Sequence, residues 1–521
     1  MTEQERYLEQ LTTVYSRDTV QVKIVRILNQ DGTYKLRVHV ESNGQLEPPL
    51  EFPMDELRTK ILKIKNYSAH FSGIEIAEII SKIQKATQAD KVAVIEGFHG
   101  LGWQIRNGEI TGWKSAVSFD LHGTPLPKDI YAPYPVSGGN LEDNINTLKV
   151  YISNHGVVAQ ATLLYGFSAV LAGYLGKCLL LNVSGKSSRG KTTLARLIVS
   201  LFAHPEYEKL NTTFNVTLNK MSERLDGLYG TAVLIDDLSL APTSVRREID
   251  NMTYVLESGR EKERLKTKSF SREPARWATT IIFSAEESIL GLCDPEKEGA
   301  VGRLMELSIS ADDLFKDAQD ATSISDACKK DYGLLADEFV RRLIVQNKLK
   351  ELRERYEQKQ IEVRADYSGV MARMAENVAL VILCGELLHE LFSFSFCLDD
   401  IQKYLLSTEQ DNLDNFRMAQ RDSIILSKLY PALLEYGAKV CPDENKNHPG
   451  RIVISSKFMK EMYTDIQKQY GYKPRQVKQA LKDAGVLYAN DGPYSYSGTI
   501  NGKSFRGIYL YTQSKRGEQG E

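Results

Sequence analysis

"LLLNVSGKSSRGKTTLARLIV", residues 179–199, is the stretch that decides the fold. An apolar run stops at Gly185, and Gly190, Lys191 and Thr192 then complete the pattern G-x-x-x-x-G-K-[ST] without a mismatch. The apolar run before the glycine predicts a strand, and the apolar residues after the threonine recur at helical spacing. A plain Gly/Ser-rich turn is the alternative interpretation. Because the flanking strand and helix that the motif requires are both indicated, the sequence favours a phosphate-binding loop.

The predicted loop has the chemistry of a nucleotide site. Glycines let the backbone turn tightly, so that successive N–H groups point at phosphates. Lys191 then reaches the β- and γ-phosphates, the hydroxyl of Thr192 ligates Mg²⁺, and the helix directs its positive end at the anion. We therefore expect ATP and Mg²⁺ as cofactors. The residues expected to bind them are Gly185, Lys186, Ser187, Ser188, Arg189, Gly190, Lys191, Thr192 and Thr193.

Two acids follow the next strongly apolar strand. "TAVLIDDLS", residues 231–239, ends this strand in Asp236 and Asp237, about 45 residues after the loop. In phosphate-loop enzymes the first acid helps to hold Mg²⁺, and the next polarises the attacking water. A solvated turn is the alternative. Aspartate is one methylene shorter than the glutamate usual at the second position, which predicts slower hydrolysis or different water positioning.

Two later segments add polar side chains to this pattern. "ARWATTIIFSAEES", residues 275–288, is a β-branched strand that ends in Ser284, which would place a hydroxyl near the γ-phosphate. "EGAVGRLMELSIS" carries Arg303 just before another apolar strand. This arginine is either a surface residue or a finger that reaches a neighbouring subunit's nucleotide.

In this order, the loop, the Asp-Asp strand, the Ser-ended strand and the arginine resemble an AAA+ ATPase. The resemblance implies that Ser284 is sensor 1, and it favours the arginine finger for Arg303. "YVLESGREKERLKTKSFSREPARW", residues 254–277, looks like the pre-sensor-1 hairpin that MCM and superfamily 3 helicases project into their pore. "MARMAENVALVILCGELL", residues 371–388, is similar to the lid helix of MCM-type helicases, with Arg373 at the sensor 2 position. A helix-surface arginine is the alternative for Arg373.

The match is closest to a family named only as a domain of unknown function, found in replication proteins of phages, plasmids and genomic islands. That family includes self-loading helicases of staphylococcal cassette elements and pathogenicity islands. The shared features are "LYGFSAVLAGYL", "SGKSSRGKTT", "RW" before the sensor strand, "SAEES" and "DYGLLADEFV", over roughly residues 98–390. The sequence departs from the family in the Asp-Asp pair and in "SAEE", where relatives more often carry Thr-Gly-Glu or Ser-Gly-Glu.

The resemblance implies a ring-forming, ATP-dependent DNA helicase, expected to be a hexamer, in the replication of a mobile element. It also implies single-stranded DNA in the pore, and a primase or replication initiator as a possible partner. The hairpin residues expected to contact DNA are Arg260, Lys262, Arg264, Lys266 and Lys268. The alternative is an AAA+ remodelling, defence or regulatory ATPase that binds DNA or protein without unwinding.

The end of the chain is basic. Residues 451–516 hold twelve Lys/Arg against four Asp/Glu, while the whole chain has a formal net charge of −2. The pattern strand, helix, helix and two strands around "NGK" predicts a winged helix. Its expected contacts to double-stranded DNA are Arg475, Lys478 and Lys482 on the second helix and Lys503 and Arg506 at the wing. A protein-docking module or a solvated lysine-rich face is the alternative.

The remaining features bound the class of protein. At 521 residues, with 42% hydrophobic and 26% charged residues, the chain is expected to form several soluble domains. Six scattered cysteines without CxxC pairs, a charged start and no apparent membrane-length apolar stretch predict a cytoplasmic protein without membrane contact. We predict the α/β class: a β-rich N-terminal domain (1–135), an AAA+ phosphate-loop ATPase core (136–324), a helical lid (325–440) and a winged helix (441–521).

Overall fold

The computed structural model describes most of the chain. The described residues are 3–28, 34–53, 70–97, 100–106, 108–127, 129–262, 274–294, 297–310, 312–446, 450–470 and 472–512. They fall into two compact units. The larger unit comprises Met1–Cys293 and Gly299–Gln410, and the smaller unit comprises Asp294–Glu298 and Asp411–Glu521.

The first strands of the larger unit form an antiparallel sheet around a hairpin. The alternating segments "VQVKIVRIL" and "YKLRVHVES" form strands β2 and β3, which pair antiparallel from Val20↔Ser42 to Leu28↔Tyr34. Their inward residues pack against the helix Gly73–Gln88, which begins with a Ser72–Glu75 capping box. The strands of this sheet are β1 Thr12–Arg17, β2 Val20–Leu28, β3 Tyr34–Ser42, β4 Gln45–Leu46, β5 Leu50–Pro53 and β6 Val94–Glu96.

A second small sheet connects the chain's first part to later segments. Its order is β12-β7-β8-β9, and Trp103 on β7 packs edge-on against Trp113 on β8. A Cβ on Gly102 would lie 1.8 Å from the Tyr229 carbonyl oxygen, so only glycine allows β7 to approach β12 this closely. The strands are β7 Leu101–Arg106, β8 Glu109–Lys114, β9 Ser118–Asp120 and β12 Leu228–Tyr229.

The central sheet of the larger unit is parallel. Its strands are β10 Leu179–Ser184, β11 Asn211–Thr213, β13 Val233–Asp236, β14 Thr280–Ala285 and β15 Leu304–Ser308. Their order across the sheet is β11-β13-β14-β10-β15, so β14 lies between the loop strand β10 and the acid strand β13. Parallel strands present their carboxyl ends at one edge of a sheet. The residues that follow β10, β13 and β14 therefore meet at that edge.

Helices cover this sheet, which confirms the predicted α/β class. One helical stretch, Val157–Leu175, is long and apolar enough to cross a membrane by length and composition, contrary to the sequence expectation that no stretch would be. Of its most apolar window, 83% is buried, as in the core helix of a soluble protein. The other helices of the described larger unit are Glu3–Glu9, Leu141–Asn154, Lys191–Ser200, Leu218–Leu225, Thr243–Arg247, Ile249–Glu257, Ala318–Lys330, Leu335–Val345, Leu349–Arg364 and Gly369–Phe392.

The helix Leu398–Ile424 belongs to the larger unit up to Gln410 and to the smaller unit from Asp411 onward. Four antiparallel strands, β16 Arg451–Ser455, β17 Leu487–Tyr488, β18 Tyr496–Ile500 and β19 Lys503–Tyr511, form the sheet of the smaller unit. Strand β19 pairs with each of the other three. The helices of this unit are Tyr430–Val440, Pro442–Asn445, Ser456–Tyr470 and Pro474–Asp483, preceded by a π-helical turn at Ile425–Leu429.

Candidate nucleotide site

The loop after β10 has the backbone conformation of a tight cradle. Ser188 and Gly190 both have a positive φ, at 63° and 82°. A Cβ on Gly190 would lie 2.5 Å from Cδ2 of Phe315, so the ring and the left-handed backbone both require glycine there. The helix Lys191–Ser200 begins directly after this glycine, without a side-chain cap. Its first N–H groups are therefore left to face an anion at the loop.

Lys191 folds back over the loop that precedes it. Its Nζ donates to the carbonyl oxygens of Gly185 at 2.6 Å and Lys186 at 2.8 Å, and the residue is only 9% exposed. Burial lowers the pKa of Lys191, and the nearby carboxylates of Glu286 and Asp236 oppose that shift. The ammonium therefore lies inside the cradle, where a phosphate would replace the two carbonyl partners.

Thr192 and Asp236 form a pair at the end of β13. The Thr192 hydroxyl donates to Oδ2 of Asp236 at 3.2 Å. A hydroxyl and a carboxylate are hard oxygen ligands of the kind that Mg²⁺ prefers. These two side chains, brought together from the loop helix and the acid strand, fit the metal that the motif implies.

Ser284 and Asp237 lie at the same edge of the sheet. Ser284 is buried on β14, directly beside Asp236 in the strand register, and its carbonyl accepts from the backbone N–H of Asp237 at 3.0 Å. Asp237 itself has a φ of 60°, and its Oδ1 accepts from the backbone N–H of Ser239 at 3.1 Å and from the Ser239 hydroxyl. The Asp237 carboxylate thus caps the short turn Leu238–Leu240.

These groups surround a cavity of about 400 Å³, a volume within the usual range for small-molecule sites. Its lining residues are Ser187, Ser188, Arg189, Gly190, Lys191, Thr192, Thr193, Asp236, Asp237, Ser239, Ser284, Ala285 and Glu286. Most of the predicted loop residues, both aspartates and Ser284 therefore converge on one space. Glu286 is a residue that the sequence interpretation did not assign. The signal for it was an acid two residues after Ser284, at the end of the predicted strand.

Arg303 and Arg373 lie near each other and are not among the residues that line this cavity. Arg303 Nε lies 3.2 Å from Oε2 of Glu257, and its guanidinium carbon lies 4.1 Å from the centre of the Tyr254 ring. A Cβ on Gly302 would lie 3.6 Å from Cδ of Arg373. The two arginines thus share one patch of the larger unit, where the helix Ile249–Glu257 holds Arg303 in place.

The two ends of the basic segment that was predicted as a hairpin pair with each other near Arg260 and Arg276. Arg260 forms an antiparallel bridge with Arg276, and the Glu261 N–H donates to the Ala275 carbonyl at 2.9 Å. Lys262 is exposed next to this bridge. The predicted DNA contacts Arg264, Lys266 and Lys268 lie outside the described residues.

Most of the predicted DNA contacts of the smaller unit already have partners within it. Lys478 lies over the Tyr463 ring at 5.2 Å, and burial lowers its pKa. Lys482 donates to the Pro493 carbonyl at 3.1 Å. Arg506 lies 3.1 Å from Asp491. Arg475 and Lys503 are exposed.

A strand–loop–helix cradle at the carboxyl edge of a parallel sheet is the arrangement of phosphate-loop nucleotide-binding proteins. Residues 52–276 match the family described as a domain of unknown function, DUF927. The structure is similar to that of the SCCmec type IV Cch active helicase, with a TM-score of 0.64 and 17% sequence identity over 96% of this chain and 95% of that chain. These two matches confirm the predicted resemblance to the domain-of-unknown-function family and the predicted likeness in fold to a helicase. At this identity, the likeness establishes the fold.

A second solved structure, the apo A form of the NrS-1 C-terminal region, matches with a TM-score of 0.31 and 10% identity, over 94% of this chain and 96% of that one. A TM-score this low does not establish a common fold. No curated protein matches the sequence.

Proposed function

We propose that this protein is an ATP-dependent, ring-forming DNA helicase that acts in the replication of a mobile genetic element. The observation that carries the proposal is the meeting of Lys191, Thr192, Asp236 and Ser284 around one cavity. These residue types, on three neighbouring strand ends, are what phosphoryl transfer from a nucleotide requires. The fold shared with a mobile-element helicase supports the same proposal.

Nucleotide binding follows from the cradle. The loop's N–H groups and the first turn of the loop helix would hold the phosphates, and Lys191 would exchange its two carbonyl partners for phosphate oxygens. Thr192 and Asp236 would hold Mg²⁺, which neutralises charge on the phosphates when bound. Ser284, next to Asp236, would donate its hydroxyl to the γ-phosphate. Asp237 or another acid at this edge would orient the attacking water.

Assembly follows from the position of the arginines. Neither Arg303 nor Arg373 lines the cavity of its own chain, and Arg303 would exchange its contacts with Glu257 and Tyr254 for the nucleotide of a neighbouring copy. We propose a homo-oligomer, expected to be a hexamer, in which Arg303 contacts the nucleotide bound by the next subunit. A primase or a replication initiator would be its functional partner.

DNA contact is assigned to two basic regions. The segment that starts at Arg260 and returns at Arg276 would hold single-stranded DNA through its phosphates, as expected of a pore hairpin. The smaller unit would act as a winged helix on double-stranded DNA, with Arg475 and Lys503 among its exposed cations. Both contacts would be largely independent of sequence and weakened by salt.

The proposal is tested by strand displacement on a forked DNA with a labelled strand. Lys262→Ala, Arg264→Ala and Lys266→Ala combined should abolish displacement and leave the ATPase rate without DNA unchanged. Lys350→Ala with Arg353→Ala, on an exposed part of the helix Leu349–Arg364, is the matched control and should unwind normally. Displacement that survives the triple change contradicts the pore assignment. Hydrolysis without any displacement by the native protein favours the remodelling ATPase.

A further inference from the structure

Glu286 occupies a central position at the carboxyl edge of the parallel sheet. It directly follows β14, which lies between the loop strand and the acid strand. The residue before it, Ala285, accepts at its carbonyl from the Gly185 N–H at 3.1 Å, which ties the end of β14 to the first glycine of the loop. The backbone therefore fixes where the Glu286 side chain starts, next to the place where the phosphates would lie.

The side chain of Glu286 contacts the loop itself. The Ser187 hydroxyl donates to Oε1 of Glu286, and both residues line the cavity. Burial lowers the pKa of Lys191, and the charge of the Glu286 carboxylate opposes that shift, as does that of Asp236. Lysine at this motif position reaches the β- and γ-phosphates. A carboxylate that lies near this ammonium is therefore near the terminal phosphate.

The Asp237 carboxylate is less able than that of Glu286 to move towards a water at the terminal phosphate. Its Oδ1 accepts two hydrogen bonds from Ser239, and its backbone N–H is held by the Ser284 carbonyl. Its left-handed backbone, with a φ of 60°, belongs to that turn. Moving the carboxylate towards a water would break the cap of the turn.

We infer that Glu286, rather than Asp237, is the carboxylate that orients and deprotonates the attacking water. The inference rests on the proposed ATP hydrolysis. In this step the water oxygen bonds to the γ-phosphorus, and the bond from phosphorus to the β–γ bridging oxygen breaks. ADP leaves with that electron pair, and the water proton passes to the Glu286 carboxylate and then to solvent. Ser187 holds the carboxylate at the loop until the phosphates arrive.

The position of Glu286 beside the terminal phosphate predicts that loss of its charge affects nucleotide binding and hydrolysis in opposite directions. A carboxylate beside the terminal phosphate repels it, and a neutral amide of the same shape does not. Replacing Glu286 by glutamine should therefore slow hydrolysis without weakening nucleotide affinity. A residue that merely supports the loop would affect both quantities in the same direction.

The experiment uses the full chain and its variants E286Q, D237N and E287Q, with a fluorescent ATP analogue for binding and phosphate release for turnover. Glu287 is the matched control because it pairs with Arg246 at 2.8 Å and does not line the cavity. For E286Q we expect a kcat lower by about 10²–10⁴-fold, the usual contribution of a general base, with an equal or tighter dissociation constant. E287Q should stay within twofold on both, and D237N should lose less than tenfold in kcat.

Three results would overturn the inference. The first is an E286Q kcat within threefold of native, and the second is a full loss of turnover in D237N alone. The third is an E286Q variant that loses binding together with turnover, which would show a structural role. A native chain that binds the analogue without hydrolysing it, or does not bind it, overturns the proposed function itself, a different result from any of these.

Discussion

The phosphate-loop edge of the larger unit and the basic surface of the smaller unit differ in how their residues are fixed. At the loop edge, strand order and backbone hydrogen bonds bring Lys191, Thr192 and Asp236 together, and each contact is short-range and directional. On the smaller unit the basic residues share only a helical period and a charge. There Lys478 is packed over Tyr463 and Lys482 is bonded to a backbone carbonyl. The spacing of the loop motif therefore predicts which residues form the site. The spacing of basic residues along a helix does not predict which of them are able to contact DNA.

The largest effect should come from the loop lysine. Lys191→Ala removes the cation that reaches the β- and γ-phosphates, so ATP hydrolysis should fall to background and nucleotide affinity should fall with it. Lys350→Ala, an exposed lysine far along the chain, is the control and should change neither. Phosphate release and a fluorescent nucleotide titration measure both quantities. Near-normal hydrolysis in Lys191→Ala would mean that the loop is not the site.

The next effect should come from the arginine patch. Arg303→Ala should lower hydrolysis by about 10³-fold, the low end for an arginine finger, with nucleotide binding retained. Mixing Arg303→Ala with Lys191→Ala protein should restore part of the activity, because one kind of interface in mixed rings has both residues intact. Hydrolysis in the mixture that never exceeds the sum of the two variants would place the arginine's action within its own chain or outside catalysis.

A smaller effect, on DNA affinity, should distinguish Arg475 from Lys478 on the helix Pro474–Asp483. Arg475→Ala should weaken binding to duplex DNA by about three- to tenfold. It should also reduce the slope of log affinity against log salt concentration by about 1, the value for one lost phosphate contact. Lys478→Ala should weaken DNA binding less and lower the melting temperature more, because its ammonium packs over the Tyr463 ring. Fluorescence anisotropy at several salt concentrations and thermal melting distinguish the two. Equal losses of affinity would show that both lysine and arginine face DNA.

The smallest effect concerns the ion pair at β19. Asp491→Asn would release Arg506, so DNA affinity should rise by about twofold while stability changes by less than about 1 kcal/mol, as for exposed pairs. The same anisotropy titration measures the affinity. A loss of affinity in this variant would mean that Asp491 positions Arg506 for DNA rather than competing with it.

The sequence predicted the parts of the structure that depend on local patterns. The loop motif predicted the strand before Gly185 and the helix after Gly190. The contact of Glu286 with the loop could not be predicted in the same way, because it depends on β14 lying beside β10 in the sheet. The cap made by Asp237 depends on a positive φ that no spacing shows.

The residues that contact the predicted functional arginines and lysines could not be predicted from the sequence either. Arg303 meets Glu257 from about 45 residues earlier, and Lys478 meets Tyr463 on the preceding helix. Such contacts are set by tertiary packing rather than by period or composition. The division into four domains and the roles of the individual site residues stay predictions.

The measurement that tests the central claim most directly is the steady-state rate of ATP hydrolysis by the native full chain, with and without single-stranded DNA. The account predicts hydrolysis that depends on Mg²⁺ and is stimulated severalfold or more by the DNA, with the stimulation lost at high salt because phosphate contacts carry the binding. A robust rate that is the same with and without DNA would contradict a motor that moves on a DNA strand.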